Sequence, residues 1–96
     1  MVMGGATKES KPADSTCNEV CDLVRSEVEK RTNKNFEVFE PVEYKTQVVA
    51  GTNFFVKVHV GNGEHIHLRI YRDLSRNVQL SNLEENKTKD QEIQYF

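Results

Sequence analysis

The 96-residue sequence predicts an α+β domain: one long helix, over about 14–33, packed on a twisted antiparallel sheet of four to five strands. Three observations carry this. Cys17, Val20, Cys21, Val24 and Val28 recur at helical spacing and form one apolar stripe. Phe54, Val56, Val58 and Val60 alternate with polar neighbours, and Ile66, Leu68 and Ile70 do the same. Gly61-Asn62-Gly63 between those runs is a strong hairpin signal. A helix with one apolar stripe and a sheet with one apolar face must bury each other.

Residues 1–13 lack periodicity and read as a flexible arm at the start of a single domain spanning 1–96. Thr16 with Glu19 forms a capping-box signature, and Asp14 and Ser15 are alternative N-caps. Leu23 widens the stripe, while Glu27, Glu29, Lys30 and Arg31 take the solvated side. The helix should stop between Arg31 and Asn35, where two asparagines occur. An extended segment follows from Phe36 to Thr46, with Phe36, Val38, Val42, Tyr44, Thr46 and Val48 on one parity.

Phe36–Thr46 leads into Gln47-Val48-Val49-Ala50-Gly51, and a second extended segment runs from Thr52 to Val60. Turns normally use Gly, Asn, Asp or Pro, and β-branched residues tolerate unusual backbone angles poorly. Two readings of this segment remain. In one, the valines form the tip as a stiff apolar probe for a partner's groove. In the other, the strand continues through Val49 and turns at Ala50-Gly51-Thr52-Asn53. Phe55 either braces this loop, the reading we favour, or covers the far end or far face of the sheet.

A three-residue loop at Gly61–Gly63 places Val58 opposite Ile66, Val56 opposite Leu68 and Phe54 opposite Ile70. A polar turn around Asp73-Leu74-Ser75-Arg76-Asn77 precedes a short strand from Val78 to Leu83. Residues 84–92 read as a solvated connector, and Ile93-Gln94-Tyr95-Phe96 as an anchor that docks on the sheet or helix.

Composition narrows the function classes. The net charge of −2 provides no basic field for nucleic acid or anionic lipid. No stretch approaches the roughly 20 apolar residues of a membrane span, and the N-terminus has no basic-then-apolar leader pattern. A cytoplasmic location is expected. Cys17 and Cys21, four apart on one helix, are poorly placed for a disulfide and read as small buried apolar side chains.

Nor does the chain carry a phosphate-binding glycine loop, a nucleophile elbow or a paired metal motif, so neither enzyme activity nor a cofactor is expected. The nearest thing to a chemical constellation is His59, His65 and His67. The proposed register sets His59 opposite His65, with His67 diagonal to them, all on the solvent face. Outward polar alternation explains them without a metal.

Gly4-Gly5 in the arm, Gln47 to Gly51, the run Thr52-Asn53-Phe54-Phe55-Val56-Lys57-Val58-His59-Val60-Gly61, His67-Leu68-Arg69 and Tyr95-Phe96 together resemble the cystatins, most closely the intracellular stefin branch. That resemblance implies a five-stranded sheet wrapped around one helix, and reversible inhibition of papain-like cysteine proteases such as cathepsins B, H, L and S. It also implies a tripartite wedge of Gly4 and Gly5, then Gln47, Val48, Val49, Ala50 and Gly51, then Leu74 with Ser75.

In one place the sequence departs from that pattern. Stefins usually carry Leu-Pro in the second loop with a longer excursion. Here Ser75 follows Leu74, the chain returns early to Leu80-Ser81-Asn82, and Leu83 stands where tyrosine is usual. A looser second loop is expected. The alternative function is a non-inhibitory binding module on the same scaffold. A monomer is expected, with a domain-swapped dimer as the alternative state, because strain at Val48-Val49 would be relieved when two strands merge.

Overall fold

In the computed structural model, which describes residues 10–96, five strands and one helix follow in the order β1 (Lys11–Pro12), α1 (Ser15–Thr32), β2 (Glu40–Val49), β3 (Gly51–His59), β4 (His65–Arg72) and β5 (Val78–Lys87). The strands form one antiparallel sheet in the order β1-β2-β3-β4-β5. Helix and sheet meet as expected, and the sheet has five strands. One stretch at the N-terminal side departs from expectation. Lys11 and Pro12 pair with Tyr44 and Glu43, so the end of the supposed arm is a strand.

Asp14, one of the two alternatives to Thr16 and its capping box, is the N-cap of α1. Its Oδ1 accepts from the Cys17 amide at 2.9 Å and its Oδ2 from the Tyr44 hydroxyl at 2.6 Å. The Tyr44 hydrogen bond, then that of the Cys17 amide, holds the Asp14 carboxyl below its ordinary range. Asn33 ends the helix in the left-handed conformation, φ 57°, which asparagine tolerates better than most residues do. Cys17, Val20, Cys21, Val24 and Val28 are buried against Tyr44, Phe54, Val56, Val58, Ile66, Leu68, Ile70 and Leu80. Leu23 does not join them: at 60% exposure it faces solvent.

Residues 36–39 are not the start of a strand. The Arg25 guanidinium donates to the Phe36 carbonyl, and the Phe36 amide donates to Glu29 at 2.9 Å. These bonds dock Phe36 into the core beside the helix and leave Val38 exposed, so the parity read through that stretch breaks. A second break lies between Pro41 and Glu43, where β2 carries a bulge.

The expected β3–β4 register is observed in full: Phe54↔Ile70, Val56↔Leu68 and Val58↔Ile66. Gly61, Asn62 and Gly63 all take positive φ, which the tight connection requires. β5 is longer than expected and continues to Lys87. It carries two register shifts, opposite Arg69/Ile70 and His65/His67, and these erase the alternation that would have marked residues 84–87 as strand.

The sheet's outer face is covered too, by the chain after β5. Ile93 is buried, and Tyr95 and Phe96 meet the Phe55 ring edge-on at centroid distances of 4.9 and 5.9 Å. Phe55 therefore anchors this C-terminal strap and does not brace the loop at 47–51. Beneath the strap lie Lys57, whose ammonium donates to Glu43 at 3.0 Å and to the Lys89 carbonyl at 2.6 Å, and Lys45, paired with Glu92 at 3.3 Å. Such partners are what allow two lysines to be buried.

Candidate functional site

The strand order fixes what shares one end of the sheet. β2 runs toward its tip at Val49, β3 returns from Gly51, β4 runs to Arg72 and β5 returns from Val78. The β2–β3 tip and the β4–β5 turn are therefore neighbours. Lys11 faces Tyr44 and Pro12 faces Glu43, so the chain also enters β1 from this end. Gly4 and Gly5 lie outside the described residues.

The tip combines the two readings of the sequence. The strand continues through Val49, which pairs with Gly51, and Ala50 is the single residue between the two strands. Even so, the valines project: Val48 is 61% and Val49 46% exposed. Gln47 sits at the base of the tip, where its Oε1 accepts from the Asn53 side chain at 3.1 Å. Gly51 bends at φ 109°, where a Cβ would come within 2.4 Å of the Arg72 carbonyl oxygen and 3.1 Å of the Asp73 Cα. Only glycine fits there. The first loop thus leans directly on the start of the second turn.

Leu74 is 81% exposed, the most exposed large apolar side chain among the described residues. Instead of the looser loop expected from the missing proline, the turn is held by Asp73. Its Oδ1 accepts from the amides of Ser75 and Asn77, both at 2.9 Å, and its Oδ2 from the Asn77 side chain at 3.2 Å. Asparagine and aspartate side chains stabilise turns in this way. The amide of Asn77 is the first cause, and its side chain and the Ser75 amide add to it, in holding the Asp73 carboxyl below its ordinary range. Ser75 itself contributes backbone to this turn. Of the six large apolar side chains exposed among the described residues, three (Val48, Val49 and Leu74) gather at this end. No charged side chain occurs between Thr46 and Gly51.

A cystatin-domain signature matches residues 5–94. The chain belongs to the cystatin family. It is 45% identical to Cystatin-A of Mus musculus, covering all of both chains, and 44% identical to Cystatin-B of Homo sapiens, covering 99% of this chain and all of that one. Cystatin-A1 of Sus scrofa is 42% identical, with all of this chain and 95% of the relative covered. The similarity to A- and B-type cystatins runs through both loops of this cystatin and its C-terminal strap.

The histidines are not arrayed on a solvent face. His59 does lie opposite His65, with rings 5.1 Å apart, but His65 and His67 are buried on the outer face of the sheet. Among the described residues, no group of three or more His, Cys, Asp and Glu is placed to hold a metal ion. His67 sits in a cross-strand row with Lys57 on one side and Glu84 on the other. Burial first, then the positive charges of Lys87 and Lys57, pushes its pKa down to about 4, against the opposing pull of Glu84 and Glu43.

The consequence for stability follows from linkage. Below about pH 6.5 the unfolded chain protonates His67 while the folded one does not. The stabilising contribution is therefore complete above that pH and is lost as pH falls toward 4, with roughly 2 kcal/mol gone by about pH 5. Urea unfolding at pH 7.5 and 5.0 is expected to show this loss, and His67→Gln, which does not titrate, should lose distinctly less.

Proposed function

We propose that this cystatin is a reversible, tight-binding inhibitor of papain-like cysteine proteases, acting by occupying the active-site cleft rather than by catalysis. The observation that carries the reading is the gathering of exposed Val48, Val49 and Leu74 at one end of the sheet, on a chain with cystatin similarity throughout. Papain-like enzymes attack a peptide carbonyl with a thiolate activated by histidine. An inhibitor need not present a scissile bond there. It has only to fill the groove on both sides of the thiolate and exclude substrate.

In this reading the tip residues Gln47, Val48, Val49, Ala50 and Gly51 enter the cleft, and Val48 and Val49 release water from an apolar wall. Leu74 and the Ser75 backbone cover the flank beside the leaving-group side. Gly4 and Gly5 let the arm pass the nucleophile without a side-chain clash. The tip is preformed by the Gln47–Asn53 bond and by the seat of Gly51, so little conformational freedom is lost on docking. Protease–inhibitor interfaces of this kind bury about 1,600 Å² in total and are among the tightest of their size.

Cathepsins B, H, L and S are the proposed target class, and the cytoplasm is the proposed compartment. The free, buried Cys17 and Cys21 support a reducing environment. The monomer is the proposed inhibitory form. A domain-swapped dimer would straighten the bend at Ala50 and remove the tip from use.

Steady-state kinetics of cathepsin L at several substrate concentrations test the reading. Competitive inhibition that reverses on dilution is expected. Full activity in the presence of excess protein, or inhibition insensitive to substrate concentration, would overturn it.

A further inference from the structure

We propose that Tyr71 is a positioning residue for this tip, its hydroxyl tethering the bend at Ala50 so that Val48 and Val49 are held in one presentation. The proposal deepens the inhibitor reading and rests on it. Tyr71 is the penultimate residue of β4 and pairs with Asn53 on β3. From there its hydroxyl reaches past the end of the hairpin and donates to the carbonyl oxygen of Ala50. Ala50 is the single residue between β2 and β3 and has no residue opposite it in the ladder.

The contact belongs to a wider seat. A Cβ on Gly51 would lie 3.0 Å from the Tyr71 hydroxyl and 2.4 Å from the Arg72 carbonyl, so the descending side of the tip is already pressed against the end of β4. On the other side, the Gln47 and Asn53 side chains are linked across the hairpin at 3.1 Å. Beyond that link, Val48 is 61% and Val49 46% exposed. The end of a two-stranded ribbon opens locally at low cost. The Tyr71 hydroxyl closes the one stretch that neither the seat of Gly51 nor the Gln47–Asn53 bond restrains. It orders the tip before encounter, and that reduces what docking must freeze.

Tyr71→Phe keeps the ring and removes only the hydroxyl. Two readouts on the full-length protein test the idea. The first is amide hydrogen exchange of Val49 and Gly51 in the free protein, with Val56 and Leu68 as core references. The second is the pair of association and dissociation rate constants with papain. Exchange at the tip should accelerate while the core amides and the thermal midpoint stay unchanged. Dissociation should quicken about three- to tenfold, the effect of one net hydrogen bond, with association altered less than twofold.

The proposal stands only if both readouts move. Faster tip exchange with unchanged dissociation means that the tether exists but does not position the inhibitor. Faster dissociation with unchanged exchange means that the hydroxyl acts on the protease directly. Either result overturns the proposal, and so does a variant whose core exchange rises together with the tip. A wild-type protein that leaves papain active is a different failure, that of the inhibitor reading itself, and the exchange readout then still reports on the tether.

Discussion

Val49→Asp is expected to weaken inhibition of papain by about two to three orders of magnitude, or roughly 3–4 kcal/mol. The direction follows from where Val49 sits. It is the last residue of β2, half-exposed, in a stretch from Thr46 to Gly51 that carries no charge. In the free protein an aspartate there would stay hydrated, and the substitution should change thermal stability by less than about 0.5 kcal/mol, as for surface positions generally. In the complex the same carboxylate would be stripped of water without a partner. The loss should appear mainly in the dissociation rate. A variant that inhibits as well as wild type would mean that the tip does not enter a desolvated contact.

Leu68→Ala should have the largest effect on stability. Leu68 is fully buried on β4, opposite Val56 on β3 and Leu83 on β5, in the cluster that receives the stripe of α1. Truncation removes apolar transfer energy and leaves a cavity, at a cost of about 3–4 kcal/mol. Domains of this size carry about 5–15 kcal/mol in total, so the thermal midpoint should fall by roughly 15 °C or more. Inhibition measured well below that midpoint should persist, because the tip and the β4–β5 turn lie at the sheet's end and not in this cluster. A small shift would place the centre of the core elsewhere.

The two predictions separate what the sequence made legible from what it did not. Val56, Val58, Ile66, Leu68 and Ile70 could be placed because their period-2 alternation is uninterrupted and glycines at Gly61 and Gly63 fix the register. Cys17 to Val28 could be placed because a helical stripe needs only local spacing. Residues 84–87 were illegible because two bulges in β5 shift the parity that alternation depends on. Phe36 was misjudged because two side chains of α1, Arg25 and Glu29, capture its backbone, a long-range event that no window of sequence contains.

The strap over the outer face was half legible. Adjacent Phe54 and Phe55 require an apolar layer on each side of β3, and Ile93, Tyr95 and Phe96 were the unassigned apolar groups that could form it. Within the candidate site, the exposed valines and Leu74 were read from composition and resemblance. The supports beneath them were not. Asp73 replaces a rigid proline by accepting three hydrogen bonds, and Tyr71 reaches Ala50 from a different strand. Both are specified by the fold's end-to-end juxtaposition of β2–β3 with β4–β5, which becomes visible only once the sheet order is known.

The most direct measurement is the residual activity of active-site-counted papain as this cystatin is added in known molar amounts. If the exposed end of the sheet plugs the cleft, activity falls linearly and reaches zero near one inhibitor per enzyme. Undiminished turnover beyond a twofold molar excess would contradict the account.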